Sequence, residues 1–302
     1  MPAENTGRVD RRTFNAGLVV GGTTLTMEGL CGTAVAAETS PVAANDQRLP
    51  TIFVAHGSPE LAVDPVRGAP FAQWGQAMPA PKAIMVVSAH WEKTRPVMLS
   101  STDPKELVYD FGGFPRPLYE VRYDAPGAKD LATRVESLLP QSSVMRSERG
   151  LDHGAWTPLV HMYPKAEIPV LQVSMPSAEG PRGLFEFGRA LAPLRDEGVL
   201  IIGSGNITHP MLELRRGLPR ETPTWAGDFD AWAAAAVEAK NYGELINYAA
   251  KGPDVRRNHP TPDHFLPLLV VAGVASVQDA KPKFVLEEFE YNLFSRRSIE
   301  FV

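Results

Sequence analysis

Cysteine is nearly absent: Cys31 is the only one in 302 residues. A lone thiol excludes a disulfide framework and any zinc site built from cysteine pairs. Positive charge is not in excess either. The formal net charge is -5, which gives no basic field to hold nucleic acid. No apolar run reaches membrane-spanning length before Gly, Thr or Glu interrupts it, so the mature chain is expected to carry no membrane-spanning segment. Between Leu49 and Val302 there is no internal repeat and no low-complexity stretch. What remains is 44% hydrophobic and 22% charged, an ordinary globular composition. The sequence carries no signal of oligomeric state.

The first residues read differently from the rest. Asp10-Arg11-Arg12-Thr13-Phe14 precedes a weakly apolar stretch from Ala16 to Leu30, and Ala34-Val35-Ala36 offers a small-x-small cleavage site. Those are the charged, apolar and small-residue parts of an export signal, and the paired arginines make it similar to a twin-arginine signal peptide. Residues 1–36 are therefore expected to direct the protein to the periplasm or beyond. A disordered tail on a cytoplasmic protein is the alternative. Cys31 is not a lipoprotein site, because Glu28 stands where an aliphatic residue is needed. Residues 37–48 read as a polar linker, and 49–302 as the folded domain.

In that domain, apolar strand patterns alternate with helical ones, which predicts a single α/β domain with a mostly parallel central sheet flanked by helices. Ile84-Met85-Val86-Val87 reads as a strand buried on both faces. It passes through Ser88-Ala89 and delivers His90. Thr51 to Ala55 repeats the design and delivers His56. Val199 to Ile202 leads into Gly203-Ser204-Gly205-Asn206 and then His209. Ile168 to Val173 is a further buried strand, and Phe284 to Phe289 and Ile299 to Val302 read as edge strands. Helices are expected at Phe71–Met78, Ala125–Leu139, Ala155–His161, Gly183–Leu194, Thr224–Ala239 and Tyr242–Ala250. Thr261-Pro262-Asp263 resembles a helix cap with proline at the first helical position. That predicts a helix through Val271 with His264 in its first turn.

Ligands sit just beyond the carboxyl ends of strands in open α/β sheets, so histidines delivered there are candidate metal ligands. His153 precedes a glycine on a loop and is not expected in a packed core. His161 lies in a helical pattern with Leu159 and Met162 and reads as structural. His259 precedes Pro260 in an extended loop and is the weaker neighbour of His264. No pair of histidines four apart on one helix occurs, so the helical metalloprotease arrangement is excluded. Gly203-Ser204-Gly205 lacks both the nucleophile-elbow spacing and the lysine of a phosphate loop. What remains is an open, imidazole-rich site suited to zinc or iron. The glycine- and aromatic-rich loop Tyr109-Asp110-Phe111-Gly112-Gly113-Phe114-Pro115 reads either as a packed surface loop or as the wall of a pocket for a flat ring.

These segments, in order, resemble the class III extradiol ring-cleaving dioxygenases, in the 4,5-DOPA dioxygenase-like branch. The resemblance rests on His56-Gly57-Ser58-Pro59, Ser88-Ala89-His90-Trp91, Asp110 to Pro115, Asp152-His153-Gly154-Ala155-Trp156, Gly203 to Asn206, His209 and Pro260 to Leu269. It covers Pro50 to Val302. It implies one divalent metal, Fe(II) or Zn(II), held by His56, His90 and His264. His209 matches a position that is either a further ligand or an acid/base, and His153 one beside the substrate. Tyr109, Phe111, Phe114 and Trp156 are the aromatic faces for the substrate ring. The implied partners are a small aromatic diol and dioxygen. The chain departs from the pattern at Tyr109 and Pro210, where relatives usually carry histidine and asparagine. A zinc hydrolase or a non-catalytic metal- or aromatic-binding protein on the same scaffold is the alternative.

Overall fold

The computed structural model describes residues 48–302, except 94, 104–105 and 141–142. The leader and nearly all of the linker expected from the sequence lie outside the described residues. The strands are β1 (Thr51–Ala55), β2 (Ala83–Lys93), β3 (Val97–Leu99), β4 (Val144–Arg146), β5 (Val170–Pro176), β6 (Val199–Gly205), β7 (Pro282–Leu286), β8 (Phe289–Glu290), β9 (Phe294–Ser295) and β10 (Ser298–Phe301). The helices are α1 (Pro65–Ala77), α2 (Lys129–Leu138), α3 (His153–Met162), α4 (Gly180–Leu191), α5 (Met211–Leu214), α6 (Thr224–Glu238), α7 (Tyr242–Ile246), α8 (Tyr248–Lys251), α9 (Val255–Asn258) and α10 (Leu266–Val277).

Eight strands form one sheet in the order β4-β3-β5-β2-β6-β1-β10-β7, and β8 pairs with β9 in a small hairpin. The centre is parallel: β5 with β2, β2 with β6, and β6 with β1. β10 runs antiparallel between β1 and β7. Side chains alternate across a strand, and the buried residues of β1 and β2 divide accordingly. Phe53, Met85 and Val87 join one core with α2, α4, α6 and α10. Ile52, Val54, Ile84 and Val86 join the other with α1 and α3. Both faces of the central strands are therefore covered, which explains their unbroken apolar runs.

Several boundaries differ from the sequence expectation. Ile299 lies in β10, which is not an edge, because β7 pairs along its outer side. α1 starts earlier than Phe71. Asp64 caps it by accepting from Val66 N and Arg67 N, each at 3.0 Å, with Pro65 in the first turn. α10 starts at Leu266 rather than at Pro262. A helix begun at Pro262 would carry Pro267 in its interior, where the ring clashes and the missing N–H breaks the ladder; in the first turn both costs vanish. Residues 261–265 instead form a turn closed by Phe265 N–H donating to Pro262 O at 3.0 Å. The helix expected at Tyr242–Ala250 breaks at Asn247 into α7 and α8. α3 begins at His153 itself, two residues before the expected start.

Arg195 ties the base of the sheet together. Its guanidinium is fully buried, and donates to Leu49 O at 2.7 Å, Phe301 O at 3.1 Å and Gln278 Oε1 at 2.9 Å. Burial lowers its pKa to about 10, so it stays a cation at neutral pH. Arg195→Met keeps the bulk and leaves two buried carbonyls without that donor, at about 1–3 kcal/mol each. Urea unfolding of this variant should show a loss of about 2–4 kcal/mol; a loss under 1 kcal/mol would mean the carbonyls find other donors.

Candidate metal centre and substrate pocket

β2, β6 and β1 are adjacent and parallel, so their carboxyl ends open at one place, and three histidines are delivered there. His56 follows β1 directly. His90 lies inside β2, beyond the apolar run, where the register against β5 shifts between Val87 and Glu92. His264 comes from the turn before α10, and that turn is clamped to the end of β6: Asn206 N–H donates to His264 O at 2.9 Å. A Cβ on Gly205 would lie 2.1 Å from the same oxygen, so only glycine permits this approach.

Hydrogen bonds fix which ring nitrogen of His56 and of His264 is free. Ser204 Oγ donates to Gly154 O at 2.5 Å and therefore accepts from His56 Nδ1–H at 2.9 Å. His264 Nδ1 donates to the Asp263 carboxylate. His90 Nδ1 faces Asp110 Oδ2 at 3.5 Å. His56 and His264 thus turn Nδ1 outward and keep the Nε2 lone pair for the centre, and the Asp110 carboxylate favours the same tautomer at His90. His56 Nε2 and His90 Nε2 lie 3.1 Å apart, and with a nitrogen of His264 they form one group in which every ligand atom is within 4.8 Å of the others. That separation suits an N–H···N hydrogen bond between the rings or a cation held by both nitrogens. The donor set therefore fits a divalent metal.

Charge on these rings is suppressed. Burial pushes the pKa of His56 and His264 well below the usual imidazole value, with the neighbouring imidazoles adding to it. His90 falls to about 4, from burial and then from His153. All three are neutral at pH 7, the form that binds a metal.

Two more histidines flank the triad. His153 packs on His90 with ring centroids 3.9 Å apart, and its Nδ1 donates to Asp110 Oδ1 at 2.7 Å. Burial, the largest single influence, raises the pKa of Asp110, but the hydrogen bonds from His153 and the charges of His153 and His90 together outweigh it and hold the carboxyl at about 2. The ionised carboxylate can only accept, so His153 carries its proton on Nδ1 and keeps Nε2 as a base. His209 stacks on His264 at 3.4 Å, and burial lowers its pKa to about 3. It shares a second group with Asp263 and His264 and is not part of the His56-His90-His264 group.

All five histidines line one cavity of about 450 Å³, together with Phe111 and Phe114. Trp156 and Tyr109, expected to face a substrate ring, are placed elsewhere. Trp156 is fully buried, with its indole N–H donating to Val108 O at 3.3 Å. The Tyr109 hydroxyl donates to Val121 O at 2.6 Å. Both rings stand 6.1 Å from Phe111 and support it from behind. They form the apolar platform of the pocket and do not line it. The other two histidines behave as structural residues. His161 bonds Leu61 O at 2.7 Å, and His259 bonds Ile207 O at the same distance.

Residues 52–302 match the family model "Catalytic LigB subunit of aromatic ring-opening dioxygenase". The chain belongs to this family. It is 40% identical over 262 residues to the 4,5-DOPA dioxygenase extradiol of Beta vulgaris, covering 83% of this chain and 96% of that one. It is 38% identical over 238 residues to the enzyme of the same name from Escherichia coli (strain K12), covering 77% and 87%. A crystal structure of an uncharacterized protein from Escherichia coli K12 superposes with a TM-score of 0.69 at 32% identity, covering 84% of this chain and all of that one. The protein is an extradiol ring-cleaving dioxygenase of aromatic compounds, and the family implies the divalent metal that the histidine triad fits.

Asp110, Asp263 and Ser204, which orient the histidines, carry no separate mark in the sequence; only adjacency to the family motifs points to them. Ser204→Ala removes the acceptor that fixes the His56 tautomer. A competitive chelator titration should show divalent-metal affinity falling by about 10- to 100-fold, with the melting temperature little changed. Unaltered affinity would show that His56 does not depend on this bond.

Proposed function

We propose that the protein opens the ring of a catechol of the DOPA type beside its two hydroxyls, using dioxygen and one bound ferrous ion. Both atoms of dioxygen enter the product, one in an aldehyde and one in a carboxylate, as a muconic semialdehyde. The observation that supports this most is the grouping of three neutral, outward-tethered imidazoles with two further histidines in one aromatic-walled cavity. The ion, when bound, supplies open positions that bring the diol and dioxygen together.

The chain's own residues do the rest. Phe111 and Phe114, with ring centroids 5.5 Å apart at 89°, offer an edge and a face to a flat ring and keep water from it. His153 Nε2 takes a phenolic proton as the diol settles, and Asp110 stabilises the imidazolium through Nδ1–H. His209, stacked beside the triad, is assigned to proton transfer rather than to the metal, because His56, His90 and His264 already converge without it. An all-nitrogen triad also accepts Zn(II), so iron is assigned on the chemistry of oxygen use.

Protein loaded anaerobically with Fe(II), then given oxygen and a catechol panel, should take up oxygen and form a ring-opened chromophore. His153→Ala and His209→Ala should each lower kcat by about 10²- to 10⁴-fold while keeping the metal. No oxygen uptake with any catechol would refute the reaction, and metal loss in His209→Ala would make His209 a ligand.

We also propose that residues 1–36 direct export by the twin-arginine route. The support is the Arg11-Arg12 pair, the weak apolar stretch and the small-x-small site. Replacing both arginines by lysine should retain the protein in the cytoplasm; unchanged periplasmic recovery would refute the assignment.

A further inference from the structure

Asp152 is a fully buried carboxylate outside the metal triad and its tethers. It lies where the sheet stops holding β2. Against β6, the pairing of β2 ends at Ser88 with Ser204. Against β5, Val87 pairs with Val173 and the next pair is Glu92 with Met175. His90 therefore falls in a stretch whose backbone the neighbouring strands do not fix, although its ring must be presented to the metal.

Side chains take over that task. His90 N–H donates to Ser88 Oγ at 3.1 Å, and Ser88 Oγ in turn donates to Asp152 Oδ1 at 2.8 Å. On the other side of the residue, Arg149 Nη2 donates to His90 O at 3.4 Å and reaches Asp152 Oδ2 at 3.5 Å. The Arg149 guanidinium also lies over the Trp91 ring, 5.3 Å from its centroid. Asp152 Oδ2 accepts from Gln172 Nε2 as well, while Gln172 Oε1 accepts from Asp152 N–H at 2.9 Å. That reciprocal pair orients the Gln172 amide: its oxygen faces the N–H, so its NH2 faces the carboxylate. Asp152 O accepts from Ala155 N–H at 2.9 Å and Trp156 N–H at 3.0 Å, which opens α3 with His153 as its first residue. One residue thus reaches the backbone of a metal ligand from both sides and starts the helix that presents the base. A Cβ on Gly154 would lie 2.4 Å from Ser88 Oγ, so the glycine lets α3 close on this network.

We propose that Asp152 is a positioning residue. Its carboxylate, acting through Ser88 and Arg149, sets the backbone of His90 and with it the place of the His90 ring in the triad. It touches neither metal nor substrate. Groups that orient metal-bound histidines from behind act on metal affinity and turnover, not on stability alone. The proposal rests on the metal triad described above.

The test titrates metal-free protein with Co(II) against a competing chelator and records the visible spectrum of the bound ion, which reports the arrangement of its ligands without turnover. Asp152→Asn keeps the shape of the side chain but turns an NH2 toward groups that are themselves donors. Its Co(II) affinity should fall by about 10- to 100-fold, with an altered spectrum. In the iron-loaded variant at saturating metal, kcat should fall while KM for the catechol stays near the wild-type value, because Phe111 and Phe114 are untouched. Ser88→Ala breaks the same chain of bonds with a smaller change and should move affinity and spectrum in the same direction; it decides the matter if Asp152→Asn does not fold. Asp152→Asn combined with Gln172→Glu again sets a donor against an acceptor and should recover most of the affinity. A lowered melting temperature with Co(II) affinity and spectrum unchanged would make Asp152 a purely structural residue and overturn the proposal. A folded double variant that binds no better than Asp152→Asn would overturn it too. Wild-type protein that takes up no Co(II) would overturn the triad itself, and the proposal with it.

Discussion

The site depends on keeping three imidazole lone pairs facing one another inside a low-dielectric pocket. Protonation, which would occupy those nitrogens in water, is suppressed by burial and by the neighbouring rings. His56 and His264 are held well below the ordinary imidazole pKa. The arrangement is imposed from outside, through Nδ1 contacts to Ser204, Asp110 and Asp263. A divalent cation is the partner that all three nitrogens can share.

The fold makes this arrangement affordable by placing the histidines on its most rigid parts. β1 and β6 are fully buried, β2 is buried from Ile84 to Ala89, and the turn carrying His264 is bonded directly to the end of β6. The same strand supplies Ser204, which sets the His56 tautomer. Asp110 reaches in from the aromatic loop and touches both His90 and His153. One carboxylate thereby couples the orientation of a metal ligand to that of a base, and the Phe111 platform behind it couples both to the substrate wall.

Much of this was legible in the sequence. The central strands were plain because they are covered on both faces, and their apolar runs ended at His56, His90 and the Gly203-Ser204-Gly205-Asn206 turn. The start of α10 was misplaced because Pro262 and Pro267 both suit a first turn, and only the second is compatible with the helix that follows. The start of α1 was missed although Asp64-Pro65 carries the same cap-and-proline signal. Trp156 and Tyr109 were expected at the substrate because aromatic type alone does not distinguish a wall from the layer behind it; that depends on Val108 and Val121, whose carbonyls take the Trp156 and Tyr109 donors. His153 was expected on a loop outside the core, yet it is the buried first residue of α3, the helix that also carries His161, because the glycine after it allows close packing on Ser88 and His90 without ending the helix.

The central claim is that one metal ion is held by His56, His90 and His264 through Nε2. The most direct measurement is a crystal structure of iron-loaded protein with anomalous scattering recorded at the iron edge. The account expects a single peak within about 2.0–2.3 Å of all three Nε2 atoms, near the range of metal–imidazole bonds, with His153 outside bonding distance. A peak bonded through His209 and Asp263 instead, or no peak at the triad, would contradict it.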